Sequence, residues 1–191
     1  ASAAGAAAPV KDLSPWQGNY ISRNALMDRP EMQSLYREIV KAAAAKGKSY
    51  TIEGVKKFFA RNFHTDFRKM RVEGNTITFY PFEKAAKPIT LTYKYAGEIP
   101  DSYGKFKFSW HGFSSDAGGA KDAPYVSLLL MKIHKHNKGV PHFHMRYSSK
   151  GLKEIVGPEF KRWWPIILPE DVDIKAFIKG RDIKKLAGIL P

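Results

Sequence analysis

Two hydrophobic periods divide the chain. In the first third the period is helical. Met32, Leu35, Tyr36, Ile39 and Val40 recur on one face between Pro30 and about Lys46, and Gly47 ends the run. A second helix is predicted from about Thr51 to Phe63, with Val55, Phe58, Phe59 and Phe63 as its buried stripe. Glu53 in its first turn favours the positive end of the helix dipole. From Phe67 the period becomes two. Phe67 to Val72 and Thr76 to Tyr80 flank the turn Glu73-Gly74-Asn75 as a hairpin. Ile89, Leu91, Tyr93 and Tyr95 alternate with polar residues, as do Phe106, Phe108 and Trp110. A long strand is predicted from Tyr125 to about His134, followed by one from Pro141 to Tyr147, and Trp16 to Tyr20 reads as a first short strand. Trp163-Trp164-Pro165 through Pro169 reads as an aromatic connector, and Glu170 to about Lys179 as a helix. Consecutive antiparallel strands with added helices near both ends predict a mainly β fold, an antiparallel barrel that is closed or nearly closed and so hides its edges.

Length and charge narrow the class. At 191 residues, 43% of them hydrophobic, the chain fits one well-filled domain, with residues 1–14 as a flexible lead-in and 15–191 as the domain. No apolar run approaches the roughly 20 residues of a membrane span. The small residues from Ala1 to Pro9 resemble those around a signal-peptidase cut, so a processed, exported protein is expected. The formal charge of +14 favours anionic partners, but the basic residues are spread along the whole chain, as solvated faces are, and a nucleic-acid partner is not expected. There is no cysteine, which excludes disulfides and thiolate ligands and leaves His, Asp or Glu to hold any metal.

The chemistry concentrates in one stretch. Of six histidines, His134, His136, His142 and His144 fall together in a strand, a turn and a second strand. Alternation puts His142 and His144 on one face with Phe143 on the other. A hairpin returns His134 or His136 opposite them. Three imidazoles from two paired strands, with a fourth position open, is the layout of a catalytic or carrier zinc site. Neutral imidazoles are borderline ligands that suit zinc, which imposes no geometry of its own.

Several further segments occur in a familiar order. They are Trp16-Gln17-Gly18, Thr65-Asp66, Tyr93-Lys94-Tyr95-Ala96-Gly97, the His142-Phe143-His144 strand, and Trp164-Pro165 with Pro169 before a helix. Over about Pro15 to Gly180 the chain resembles the ZinT (YodA) family of periplasmic zinc-binding proteins. The resemblance implies a lipocalin-like (calycin) barrel with added helices, Zn2+ held by three histidines near a barrel mouth, and a role in zinc uptake or homeostasis. It also implies a zinc-uptake solute-binding protein as partner, since the same domain is fused to some of these. The family's ligands carry over to His142 and His144, and to His134 from the preceding strand, with His136 as the alternative. The histidine-rich N-terminal stretch and the cysteine pair of better-known members are absent from this sequence.

An enzyme is the main rival, because a zinc-bound water on three histidines also drives hydrolysis. Such a centre needs a neighbouring base, and the hairpin offers lysines rather than Glu or Asp. No catalytic residue is therefore assigned. Asp66 is the candidate to orient a ligand histidine from behind. His64 and His111 read as structural, Trp16 and Gly18 as a barrel-bottom plug and a close backbone approach, and Trp163 and Trp164 as core or lid packing. Asp116 to Lys121 reads as a flexible hairpin loop lacking the ending of a phosphate loop. Because imidazole binds zinc only when neutral, an ordinary histidine pKa predicts loss of affinity below about pH 6.5.

Overall fold

The computed structural model describes residues 8–116, 123–136 and 138–191. Residues 1–7 of the lead-in, most of the loop from Asp116 to Lys121, and Asn137 in the histidine turn lie outside them. The lead-in does not stay loose up to the barrel: Leu13 is fully buried, and a 3-10 turn over Ser14–Trp16 delivers Trp16 into the core.

Nine strands follow: β1 (Gly18–Ser22), β2 (Phe67–Glu73), β3 (Thr76–Pro81), β4 (Ile89–Thr92), β5 (Lys94–Tyr103), β6 (Phe106–Ser114), β7 (Ser127–Leu130), β8 (Phe143–Ser148) and β9 (Ile166–Pro169). They form a single antiparallel sheet in the order β4-β3-β2-β1-β9-β8-β7-β6-β5. Every neighbour except β1–β9 is consecutive in sequence, so the chain meanders around a strongly curled surface. The hydrogen-bond ladder does not close, because β4 and β5 stand at opposite ends of the sheet. The expected barrel is thus a curled half-barrel. Ile89, Leu91 and Tyr95, read with Tyr93 as one alternation, belong to two edge strands separated by Tyr93 alone.

The concave side is filled. Tyr20, Phe67, Phe79, Phe113, Phe143 and Met145 belong to one buried cluster, and Tyr125 stacks on Phe79 at 4.1 Å. A lipocalin-style hollow for a hydrophobic ligand is therefore occupied by the protein's own side chains. Helices α1 (Met32–Ala44) and α2 (Ile52–Asn62) pack their predicted stripes into a second cluster against Ile166 and Leu168 of β9. Thr51 caps α2 by accepting from the Gly54 amide. None of the described helices is long and apolar enough to cross a membrane.

Three segments differ from the sequence reading. The strand read from Tyr125 to about His134 is limited to Ser127–Leu130, with Tyr125 in a 3-10 turn and His134 in an isolated bridge. Ile166–Pro169, read as a connector, is a strand at the middle of the sheet, paired with both β1 and β8. Its bracketing prolines hide it: only three residues with a free amide lie between Pro165 and Pro169. Helix α3 (Ile174–Lys179) starts at Ile174 rather than Glu170, because the Asp173 carboxylate accepts from the amides of Lys175 and Ala176 and fixes the N-terminus there. A further helix, α4 (Ile183–Gly188), is capped in the same way by Asp182.

Trp16 closes the end of the half-barrel from which the histidine segment leaves, rather than the opposite end. Its ring packs on His111 and Phe113, and its Nε1 donates to the Met131 carbonyl at 2.9 Å. Trp16→Ala removes a fully buried indole and orphans that carbonyl. The expected cost is about 3–5 kcal/mol in urea denaturation. A change within the roughly 0.5 kcal/mol typical of surface substitutions would rule out the plug.

Candidate metal centre

Strand register assembles the site. β7 and β8 pair Leu129 with Arg146 and Leu130 with Met145. Continued without interruption, that ladder would set Ile133 opposite His142. Instead His134 forms the bridge with His142, donating to its carbonyl at 2.9 Å and accepting from its amide at 3.0 Å. One extra residue on the β7 side, a bulge, therefore turns His134 onto the face of His142 and His144. Ile133 is left 40% exposed. That face points away from the barrel interior, since Phe143 and Met145 occupy the concave core.

The result is a cluster in which one ring nitrogen from each of His134, His142 and His144 lies within 4.8 Å of the others. On tetrahedral zinc, Zn–N bonds of about 2.0–2.1 Å set the nitrogens about 3.4 Å apart. Small side-chain rotations close that difference. The His136 ring stands 5.3 Å from His134 and 5.4 Å from His142, centroid to centroid, on the exposed side of the cluster.

The other nitrogens are committed elsewhere. Nδ1 of His134 faces the Lys132 carbonyl at 3.0 Å and Nδ1 of His142 faces the Val140 carbonyl at 2.9 Å. Each contact favours the tautomer with the proton on Nδ1 and leaves Nε2 as a lone-pair donor. The buried Nδ1 of His144 makes no well-aligned hydrogen bond, and backbone groups of Trp164 and Pro165 lie beside its ring. Asp66 does not take the orienting role. Its carboxylate accepts from the Tyr147 hydroxyl at 2.8 Å and faces His64 Nε2 at 3.1 Å, and backbone carbonyls hold the site histidines instead. His64 is exposed, whereas His111 is buried between Trp16 and Tyr95, with Nδ1 3.2 Å from the Tyr95 hydroxyl.

Three supports flank the site; the sequence reading assigns Trp164 only to core or lid packing and does not mark Arg146 or Gly180. Trp164 stands edge-on to His144 at 5.8 Å. Arg146, fully buried two residues further along β8, lies over Trp110 and Trp164 at 5.0 and 4.6 Å and donates to the carbonyls of Trp163 and Ile155. Gly180, which ends α3, meets the histidine turn so closely that an added Cβ would lie 2.5 Å from the Gly139 Cα.

Burial controls the charge of the site. Desolvation pulls His142 down to about 4 and His144 down to about 3, and neighbouring histidines add to the effect; His136 is also lowered, chiefly by desolvation. Both inner imidazoles are therefore neutral and ready to donate at any pH above about 5. Proton competition at these two positions starts well below the pH 6.5 expected of an ordinary histidine.

Lowered folded-state values mean that the unfolded chain binds more protons than the fold below about pH 6.5. The metal-free protein should hold its full stability above that pH and lose it toward about pH 4. The slope is up to about 1.4 kcal/mol per pH unit for each histidine. Urea denaturation of chelator-treated protein from pH 7 to 5 should show this fall, and His142→Gln should flatten it; equal slopes in both proteins would refute the burial argument. Gly180→Val should push the turn outward and weaken zinc binding in calorimetry while leaving the far-ultraviolet circular dichroism unchanged. Unchanged zinc affinity would show that the contact does not brace the site.

A model of the family described as ZinT (YodA) periplasmic lipocalin-like zinc-recruitment matches residues 6–180. The fold is similar to the Zn(II)-bound ZinT-like domain of Streptococcus pneumoniae AdcA, with a TM-score of 0.63 and 18% identity over 96% of this chain and 93% of that one. It is also similar to Zn(II)-bound AdcA from the same organism, with a TM-score of 0.63 and 20% identity, covering 93% of this chain but 35% of that one. No curated protein matches the chain. At these identities the structural likeness speaks for the fold, while the family match spans nearly the whole sequence and agrees with a histidine cluster suited to zinc. The chain belongs to the ZinT (YodA) family of periplasmic, lipocalin-like zinc-recruitment proteins, whose business is binding zinc and not catalysis.

Proposed function

We propose that residues 15–191 act as one zinc-recruiting unit in which His134, His142 and His144 are the ligands. The observation that carries this reading is the convergence of three ring nitrogens, with the roles of the two nitrogens divided in His134 and His142. One nitrogen of each imidazole joins a cluster within 4.8 Å, while Nδ1 of His134 and His142 is tied to a carbonyl. His136 stands beside the cluster as a first contact for incoming metal. Three neutral donors leave a fourth position for water, an anion or a partner's side chain. Such a site captures zinc reversibly, because a three-ligand site can pass its ion to a partner that offers a fuller set.

The family's periplasmic description supports action outside the cytoplasm, with export of the chain. A ZinT-like domain forms part of AdcA, and this supports handover to a zinc-uptake solute-binding protein.

Calorimetric zinc titration of chelator-stripped protein tests the ligand set. His134→Ala, His142→Ala and His144→Ala should each lower affinity by more than the roughly 10–100-fold of losing an outer-sphere partner. His136→Ala should leave the stoichiometry at one and change affinity far less. If His136→Ala abolishes binding while His134→Ala is silent, the assignment of the third ligand is reversed.

A further inference from the structure

Beside the histidine cluster lies an open groove of about 970 Å3, whose wall includes His134 and His144. Its size is at the upper end of small-molecule sites, about 300–1,000 Å3. One side is an aromatic run. Phe106 stacks on Phe108 at 5.6 Å, Phe108 meets Trp164 at 5.9 Å, and Trp164 meets His144 at 5.8 Å. Tyr103, across the tip of the β5–β6 hairpin, also reaches Trp164 at 5.6 Å. Phe106 and Tyr103 are 61% and 51% exposed, although both sit on a hairpin free to carry polar residues there.

The wall is also cationic. Lys132, Lys135, Lys161, Arg162 and Lys185 line the groove, against Glu98 as the single acidic side chain. Among the described residues none of these five cations belongs to an ion pair. Histidine ligands are neutral, so a zinc ion held by three of them keeps its full double charge. Added to the cationic rim, that charge makes this end of the molecule a strong attractor for an anion. The aromatic run gives the same ligand an apolar surface to cover.

Resting on the zinc-ligand assignment proposed above, we propose that this groove binds a small organic anion with an aromatic or apolar body. Its carboxylate takes the open position on zinc and its body lies along Phe106, Phe108 and Trp164. The protein then recruits zinc as a ternary complex with a carboxylate ligand. Charge complementarity favours the anion, and the groove sits outside the filled half-barrel, so no rearrangement of the core is required.

The test uses the full chain and two probes, dansylglycine and its uncharged methyl ester, read by dansyl fluorescence with zinc-loaded and chelator-stripped protein. Zinc titration of the same samples by calorimetry comes first, and absence of a zinc site there removes the ligand assignment itself. With zinc bound, dansylglycine should bind at least about tenfold tighter than the ester, the scale of one charge-assisted contact. Stripping the zinc should erase most of that difference. Phe106→Ser, an exposed position, should weaken dansylglycine several-fold with zinc affinity unchanged, and Lys135→Glu/Lys161→Glu should weaken the acid more than the ester. Normal zinc binding with equal affinities for acid and ester, or a Phe106→Ser variant that binds dansylglycine as the wild type does, would overturn the proposal.

Discussion

The metal centre depends on one extra residue between Leu130 and His134. A regular continuation of β7 would aim the His134 side chain toward the opposite face from His142 and His144, because strand side chains alternate strictly. The bulge cancels that alternation, and the bridge between His134 and His142 then locks the new register with two backbone hydrogen bonds. Bulges of this kind re-aim single side chains at functional edges. Here the cost is a disrupted ladder and an exposed Ile133. The gain is a third imidazole on the correct face.

Around that register the molecule is built to hold the histidines still. β8 divides its side chains between two jobs. Phe143, Met145 and Tyr147 anchor it in the concave core, while His144 and Arg146 project outward. The Arg146 guanidinium packs against the stacked pair of Trp110 and Trp164 and supports the indole that stands against His144. On the other flank, the backbone approach of Gly180 to Gly139 sets α3 against the histidine turn. Trp16 ties the N-terminal turn to Met131, the first residue of the segment that leads to His134. Elements distant in sequence thus converge on a short hairpin that would be too small to hold its shape alone.

What the sequence made legible was what local periodicity encodes. Met32, Leu35, Tyr36 and Ile39 marked α1, the Glu73-Gly74-Asn75 turn marked the β2–β3 hairpin, and His142 and His144 announced themselves by their spacing. Segments whose state is decided by distant contacts were harder to read. Ile166–Pro169 has too few residues between its prolines to show an alternation, and becomes a strand because β1 and β8 both offer it partners. The open edge between β4 and β5 follows from global curvature, which no window of residues records. That His134 faces the pair at all follows from a bulge, and a bulge has no sequence signature when its residues are Met131, Lys132 and Ile133. Asp66 looked suited to orient a histidine by type alone, whereas Tyr147 and His64 claim its carboxylate.

The electrostatics of the site explain how a protein of charge +14 is suited to a cation. Burial holds His142 and His144 neutral, so zinc meets no protons to displace at these positions near neutral pH. The donors are preorganised, but no carboxylate among them offsets the ion's charge. Carboxylate-rich sites hold divalent ions partly through direct charge neutralisation, and release is correspondingly expensive. A site of three neutral imidazoles set among lysines draws its affinity from coordination bonds, while the surrounding field works against the bare ion. That opposition leaves the fourth position electrostatically unsatisfied, and whatever anionic group fills it offsets the repulsion that the ion meets. Net positive charge around the three imidazoles in this light weakens the hold on the bare ion.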